Sequence, residues 1–150
     1  MSEVALASDL SSRVPLPAAW LGGLGLVPFI AGVVLVAGVD VRWALDPLRF
    51  YAAAILSFLG GVHWGLAIDA SSGRAAWIRL GGSVLPALVA WFALLMAPAP
   101  GLLLSATAFA LLLLADVLAV RKRMAPRWYP RLRVPLTAIV VVCLVTAGLS

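Results

Sequence analysis

Charged residues divide this chain into long apolar stretches. Uncharged runs occupy residues 20–39, 50–68, 80–115 and 134–150. A helix needs about 20 apolar residues to cross the hydrocarbon core of a bilayer. The third run has 36 residues and is divided by Ala97-Pro98-Ala99-Pro100-Gly101, a turn that cannot continue a helix. The pattern predicts five transmembrane helices, at about 18–39, 48–69, 78–97, 101–120 and 134–150, with kinks at Pro28 and Pro86.

The composition favours the same fold class. Hydrophobic residues make up 64% of the 150 residues and charged residues 11%, against about 45–50% and about 25% in soluble domains. A soluble fold of this size could not bury so much apolar surface. We therefore expect an all-α, polytopic membrane helix bundle, with a polar cytoplasmic tail over 1–17 and one transmembrane domain over 18–150. The tail lacks the pattern of a cleaved signal peptide.

The basic residues predict the orientation of the bundle. Five crossings place the N-terminal tail and the loops after the second and fourth helices on one face. That face carries nine of the eleven basic residues, and the other carries only Arg42 and Arg49. Because Lys and Arg are retained in the cytoplasm, we expect a cytoplasmic N-terminus and an external C-terminus. Aromatic residues at the predicted helix ends support these boundaries, namely Trp20, Trp43, Trp77, Trp128 and Tyr129.

Several classes of chemistry are excluded by residue counts. Cys143 and His63 are the only cysteine and histidine, too few for a disulfide, a Cys/His zinc site or an iron–sulfur cluster within one chain. We expect no metal and no cofactor, and the absence of nucleotide-binding motifs argues against nucleotide-driven chemistry. No catalytic residue can be assigned; an enzyme would have to rely on His63 and Asp116 as a general base and its orienter. The basic residues lie at helix ends, so we expect no nucleic-acid partner.

Two ionisable residues fall inside predicted helices. At 1.5 Å per residue, His63 lies ~9 Å and Asp116 ~7.5 Å from the cytoplasmic boundary. Groups at such depth are costly and often functional. One hypothesis is a His63–Asp116 pair that relays protons or holds a polar ligand, with Asp69 and Arg79 at the mouth of the cluster. The alternative is structural: His63 bonds a neighbouring helix, and Asp116 pairs with Arg79 or with the basic loop.

The second helix also carries small residues at intervals of four. Ser57, Gly61 and Gly65 form a small-xxx-small pattern that lets another helix approach closely. We favour ordinary helix packing within the chain, and a dimer seam is the alternative. His63 points about 160° from the centre of this pattern, at about 100° per residue. Helix two is therefore either central in the bundle or in contact with another protein through its His63 face.

The loop between the fourth and fifth helices is the most distinctive polar segment. Its basic and aromatic residues should lie at the membrane interface, with Arg133 snorkelling to reach it. Each basic group near an anionic leaflet contributes about 1 kcal/mol of attraction. The loop is at least a positive-inside anchor, and a site for acidic lipid or a partner is the further hypothesis. Its candidate residues are Arg121, Lys122, Arg123, Arg127, Trp128, Tyr129, Arg131 and Arg133.

Three of these segments together carry a resemblance to a known family. They are Ser57-Phe58-Leu59-Gly60-Gly61-Val62-His63-Trp64-Gly65, Asp116, and the stretch from Pro126 to Arg133 followed by Leu136-Thr137. The chain from about Trp20 onward resembles the domain-of-unknown-function 3429 family, small bacterial inner-membrane proteins similar to a mitochondrial transmembrane protein. The resemblance implies a multi-pass protein of the bacterial inner membrane and assigns no catalytic residue.

Two functions fit these observations. The first is a non-enzymatic accessory or assembly factor that packs against a larger inner-membrane complex. The small size and short loops of the chain suit this role. The alternative is a small proton-linked transporter that uses the His63/Asp116 cluster. Expected partners are membrane lipids, including anionic ones, and either further copies of the chain or a larger membrane complex.

Overall fold

The computed structural model describes residues 13–38, 41–68, 73–121, 125–126 and 128–150. These ranges contain six α-helices and no strand. Several residues singled out above lie outside the described residues: Asp69, Lys122, Arg123, Arg127 and most of the tail. The helices are α1 (Leu16–Leu24), α2 (Val27–Gly38), α3 (Val41–Ala67), α4 (Arg74–Leu95), α5 (Pro98–Arg121) and α6 (Tyr129–Leu149).

Five helical segments are long and apolar enough to cross a membrane, which confirms the predicted fold class. Span one combines α1 and α2, and spans two to five correspond to α3, α4, α5 and α6. Their bounds are Leu16–Val36, Leu45–Ala67, Arg74–Leu95, Pro98–Arg121 and Tyr129–Leu149.

Every span begins earlier than the sequence pattern indicated, as α5 and α6 illustrate. Helix α5 begins at Pro98, where we expected Gly101, and α6 begins at Tyr129, where we expected Val134. In both cases prolines occupy the first turn, where a missing N–H leaves no hydrogen bond unmade. The start of α5 was placed too late because its prolines were treated as a helix break. The start of α6 was placed too late because the boundary was set at the first uncharged residue after Arg133.

Span one is interrupted close to Pro28. Gly25 and Leu26 form a turn between α1 and α2. A proline inside a helix offers no N–H to the carbonyl four residues earlier, here that of Leu24. Helix α4, in contrast, continues through Pro86.

The core of the bundle lies where the spans meet. Phe29 of span one packs edge-on against Tyr51 of span two and Phe109 of span four, with ring centroids 5.0 and 6.1 Å apart. Leu56 and Leu144, from spans two and five, are completely buried in the same cluster. These contacts hold spans two, four and five together around the polar site.

Candidate functional site: a buried His-Asp-Arg cluster

Asp116 is a carboxylate buried inside the bundle. Only 1% of the residue is exposed. Its Oδ1 lies 2.8 Å from His63 Nε2, and its Oδ2 accepts a hydrogen bond of 2.7 Å from Arg133 Nε. Spans two, four and five thus each contribute one member of a continuous His63–Asp116–Arg133 cluster.

The inward face of α3 brings His63 to this cluster. Leu56, Leu59 and Gly60 are buried on the turns before it, and Ala67 is buried on the turn after it. Residues three or four apart share a helix face, so His63 points the same way as these residues. A Cβ on Gly60 would lie 2.7 Å from the carbonyl oxygen of Ser83. The missing side chain lets α3 and α4 pack closely just beside the histidine.

The cluster contains one pair of opposite charges, Arg133 and Asp116. The charges of Arg133 and Asp116 cancel when the carboxylate is ionised. An ionised carboxylate can only accept hydrogen bonds, so in that state His63 Nε2 is the donor to Oδ1. Burying such a pair is costly unless good geometry and further hydrogen bonds offset the desolvation, and two short contacts provide that geometry here. A second proton on His63 would give the cluster one net positive charge.

A second basic residue shares a cavity with His63. A cavity of about 270 Å³ is lined by His63, Arg79 and Ser83 among mostly apolar residues. Arg79 donates a hydrogen bond of 3.2 Å to the carbonyl of Leu66. Of the two ionic partners expected for Asp116, Arg79 or the basic loop, the structure shows the basic loop: within the described residues Asp116 pairs with Arg133.

Within the described residues, the small-residue pattern of span two does not pack against another helix. Ser57, Gly61 and Gly65 are all exposed, and a Cβ on either glycine would meet nothing within 4 Å. The prediction of intrachain packing through these residues is therefore wrong. The polar partner of His63 lies inside the bundle, and turning the histidine inward turns the opposite face outward. Gly60 is the glycine that packs.

The basic segment divides into outward and inward residues. Arg121 and Arg131 are exposed, while Trp128 and Tyr129 are half-buried and pack edge-on at 5.9 Å. Arg133 is only 7% exposed, so the expectation that it snorkels to the membrane interface is wrong. Because α6 begins at Tyr129, Arg133 lies in the second turn of a helix whose inner face meets Asp116.

Arg49, which the sequence pattern places on the external side of the membrane, is a buried cation. It lies inside α3, is 8% exposed, and pairs with Asp46 at 2.9 Å. Its Nη2 also donates to the carbonyls of Leu94 at 2.8 Å and Met96 at 2.7 Å. It therefore binds the unpaired carbonyls at the C-terminal end of α4. The signal available in the sequence was Asp46 three residues before Arg49, a helical ion-pair spacing.

The sequence profile of the family "Protein of unknown function (DUF3429)" matches residues 14–149, which include all three members of the cluster. The chain belongs to this family. No solved structure matches it.

Two curated relatives share the name "Transmembrane protein 69". The Xenopus tropicalis protein is 37% identical over 140 residues, covering 87% of this chain and 53% of its own length. The Mus musculus protein is 36% identical over 86 residues, covering 54% of this chain and 34% of its own length. The chain thus spans about half the length, or less, of the curated relatives that it matches.

Proposed function

We propose that this integral membrane protein is a small proton-linked carrier of a small anion, with His63 as the group that takes up the proton. The observation that supports this most is the position of His63. It contacts Asp116 at 2.8 Å and also lines the cavity that it shares with Arg79. Imidazole is the side chain best suited to change charge near neutral pH.

The charged groups around His63 suggest how coupling works. A second proton on His63 would place a positive charge 2.8 Å from one oxygen of the Asp116 carboxylate, and Arg133 donates to the other oxygen. Protonation then places two positive groups, His63 and Arg79, beside the same cavity. An anion that binds there neutralises one of them, so anion binding and proton uptake favour each other.

Proton movement in reconstituted vesicles tests this proposal. The purified protein in phosphatidylethanolamine/phosphatidylglycerol vesicles, with a pH dye inside, is exposed to inward gradients of chloride, acetate, lactate or phosphate. We expect one of these anions to drive proton entry. We expect His63→Gln and Asp116→Asn to remove most of this flux, while Thr107→Val, an exposed change on the same helix as Asp116, leaves it unaltered.

Two results would contradict the carrier. One is wild-type protein that moves protons with none of the four anions. The other is flux that survives in folded His63→Gln and Asp116→Asn proteins, because the cluster would then be structural.

An accessory or assembly role is the second candidate, and a different face of the molecule favours it. The exposed Ser57, Gly61 and Gly65 face offers a neighbouring transmembrane helix a close approach. This role predicts that Gly61→Leu and Gly65→Leu abolish association without unfolding the protein, while His63→Ala is tolerated. The measurement is the native mass of the protein extracted in its own lipids. Foreign subunits that copurify with wild type but not with the two glycine variants support this role. A protein that copurifies with no other subunit contradicts it.

The proposed setting is the bacterial inner membrane with a cytoplasmic N-terminus. The excess of Lys and Arg on one side of the spans supports this orientation. Exposed Arg121 and Arg131 would then face the anionic cytoplasmic leaflet, where basic residues are attracted to lipid headgroups.

A further inference from the structure

A larger cavity lies between spans one, two and five. It measures about 490 Å³, within the range of cavities that bind small organic molecules. Its walls are almost entirely apolar and include Phe29, Phe58 and Phe109. Leu21 and Phe58 line it while being 71% and 65% exposed, so the cavity opens at the outer surface of the bundle. In a membrane that surface faces lipid, and a ligand could enter from the bilayer.

Two buried polar side chains line this apolar cavity. Arg133 and Thr137 are 7% and 2% exposed. Within the described part of the chain, Arg133 Nη2 and Thr137 Oγ1 have no hydrogen-bond partner. The residues are four apart on one helix and therefore share a face. Buried polar atoms in proteins are nearly always paired, so two unpaired atoms at one cavity call for an explanation.

The Thr137 hydroxyl differs from others in the bundle. Ser105 and Thr107 donate to the carbonyls four residues earlier, Gly101 and Leu103, each at 2.9 Å. This local bond is how a helical Ser or Thr usually satisfies its hydroxyl. Thr137 makes no such bond, which leaves its hydroxyl available to a ligand.

The chemistry of these two groups defines the ligand. A guanidinium nitrogen can only donate, and a hydroxyl can donate, so the matching atom is an acceptor oxygen. Asp116 already neutralises Arg133 at 2.7 Å. A charged head would add an unbalanced charge to an apolar cavity, which is costly. An uncharged carbonyl oxygen meets both requirements.

We propose that this cavity binds a lipophilic molecule from the bilayer whose polar end carries an uncharged carbonyl oxygen, held by Arg133 Nη2 and Thr137 Oγ1. A quinone ring and the ester of a neutral diacyl lipid share this chemistry. The site shares Arg133 with the His63–Asp116–Arg133 cluster. His63 and Arg79, which face the cavity of the proposed anion carrier, do not line it.

Direct binding to the full-length protein in detergent tests the site. The probes are a decyl-substituted benzoquinone, dioctanoylglycerol, decanoate and decane, measured by calorimetry. We expect the quinone, the glyceride or both to bind more tightly than decane and decanoate. The tighter of the two carbonyl probes shows whether the carbonyl oxygen belongs to a quinone or to a neutral diacyl lipid. Thr137→Val keeps the side-chain shape and removes the hydroxyl; we expect about threefold to tenfold weaker binding, the effect of one hydrogen bond.

Neighbouring alanines provide a matched pair for the apolar part. Ala18 lines the cavity and Ala19 does not, so Ala18→Phe should weaken binding of the preferred probe while Ala19→Phe should leave it unchanged. Thr107→Val controls for loss of a hydroxyl elsewhere. The site is overturned if neither carbonyl probe binds, if decane or decanoate binds as tightly, or if folded Thr137→Val and Ala18→Phe both bind like wild type.

Discussion

At the scale of single residues, Asp116 organises the interior of the bundle. One buried carboxylate contacts His63 and Arg133, so a change at Asp116 removes the partner of both. Removing one member of a buried ion pair leaves an uncompensated charge, which costs about 3–5 kcal/mol. Replacing both members with apolar residues of similar size is often close to neutral.

A double-mutant cycle measures this coupling. We expect Asp116→Leu to lower the free energy of unfolding by about 3–5 kcal/mol, and Arg133→Met added to it to restore most of that loss. The measurement is reversible unfolding in mixed micelles, with Thr107→Val as the control. Strictly additive effects would contradict a direct Asp116–Arg133 interaction.

Arg49 supports a different prediction, about the end of a helix. Its guanidinium donates to two carbonyls near the end of α4 and pairs with Asp46. We expect Arg49→Met to destabilise the protein and to speed hydrogen exchange around residues 93–97. Arg49→Lys should not restore stability, because an ammonium lacks the planar fork that reaches several acceptors. Full rescue by Lys would show that charge alone matters.

The sequence predicted the depth of His63 and Asp116 in the membrane, but it predicted their interaction partners only in part. Counting from the helix ends put His63 and Asp116 at similar depth, and the structure brings them to 2.8 Å. The third member, Arg133, was predicted only as part of the basic loop, because the fifth helix was expected to start just after it, whereas α6 begins at Tyr129. One turn of extra helix moves a cation from the expected interface into the bundle.

At the scale of elements, the apolar pattern predicts that a helix spans but not which face it packs. Lipid is as apolar as the interior, so lipid-facing and buried positions of a span look alike in sequence. Span two shows the consequence. Gly60 and Gly61 are adjacent and chemically identical. Among the described residues only Gly60 meets a neighbouring helix, whereas the small-residue spacing had selected Gly61.

This adjacent pair of glycines gives a direct test of the packing. A Cβ on Gly60 would lie 2.7 Å from the Ser83 carbonyl, and a Cβ on Gly61 would meet nothing within 4 Å. We expect Gly60→Ala to cost about 1–3 kcal/mol, the usual effect of overpacking, and Gly61→Ala to stay within about 0.5 kcal/mol. Unfolding in micelles at low protein concentration measures both, and equal effects would contradict this packing.

At the scale of the whole molecule, five spans fix which loops share a side. The hydropathy pattern alone predicted the number of spans, because a helix must be long and apolar to cross a lipid bilayer. The sidedness is a prediction from nine basic residues against two. It sets which compartment reaches the His63–Arg79 cavity, and so the direction in which the proposed carrier takes up protons.

Cysteine labelling tests that sidedness at both ends of span three. Cys143 is the only cysteine, so Cys143→Ser gives a clean background for Ala75→Cys and Ala97→Cys, two exposed positions. In intact cells, an impermeant maleimide should label Ala97→Cys alone, and Ala75→Cys should require permeabilised membranes. The opposite pattern would invert the orientation.

His63 and Asp116 form one cluster inside the membrane, and ¹⁵N NMR tests this contact most directly. His63 is the only histidine, so ¹⁵N-histidine-labelled protein in bilayers gives one imidazole. We predict an Nε2 signal typical of a strong hydrogen-bond donor, which moves clearly in Asp116→Asn and not in Thr107→Val. An imidazole spectrum that Asp116→Asn leaves unchanged would contradict the cluster and the function built on it.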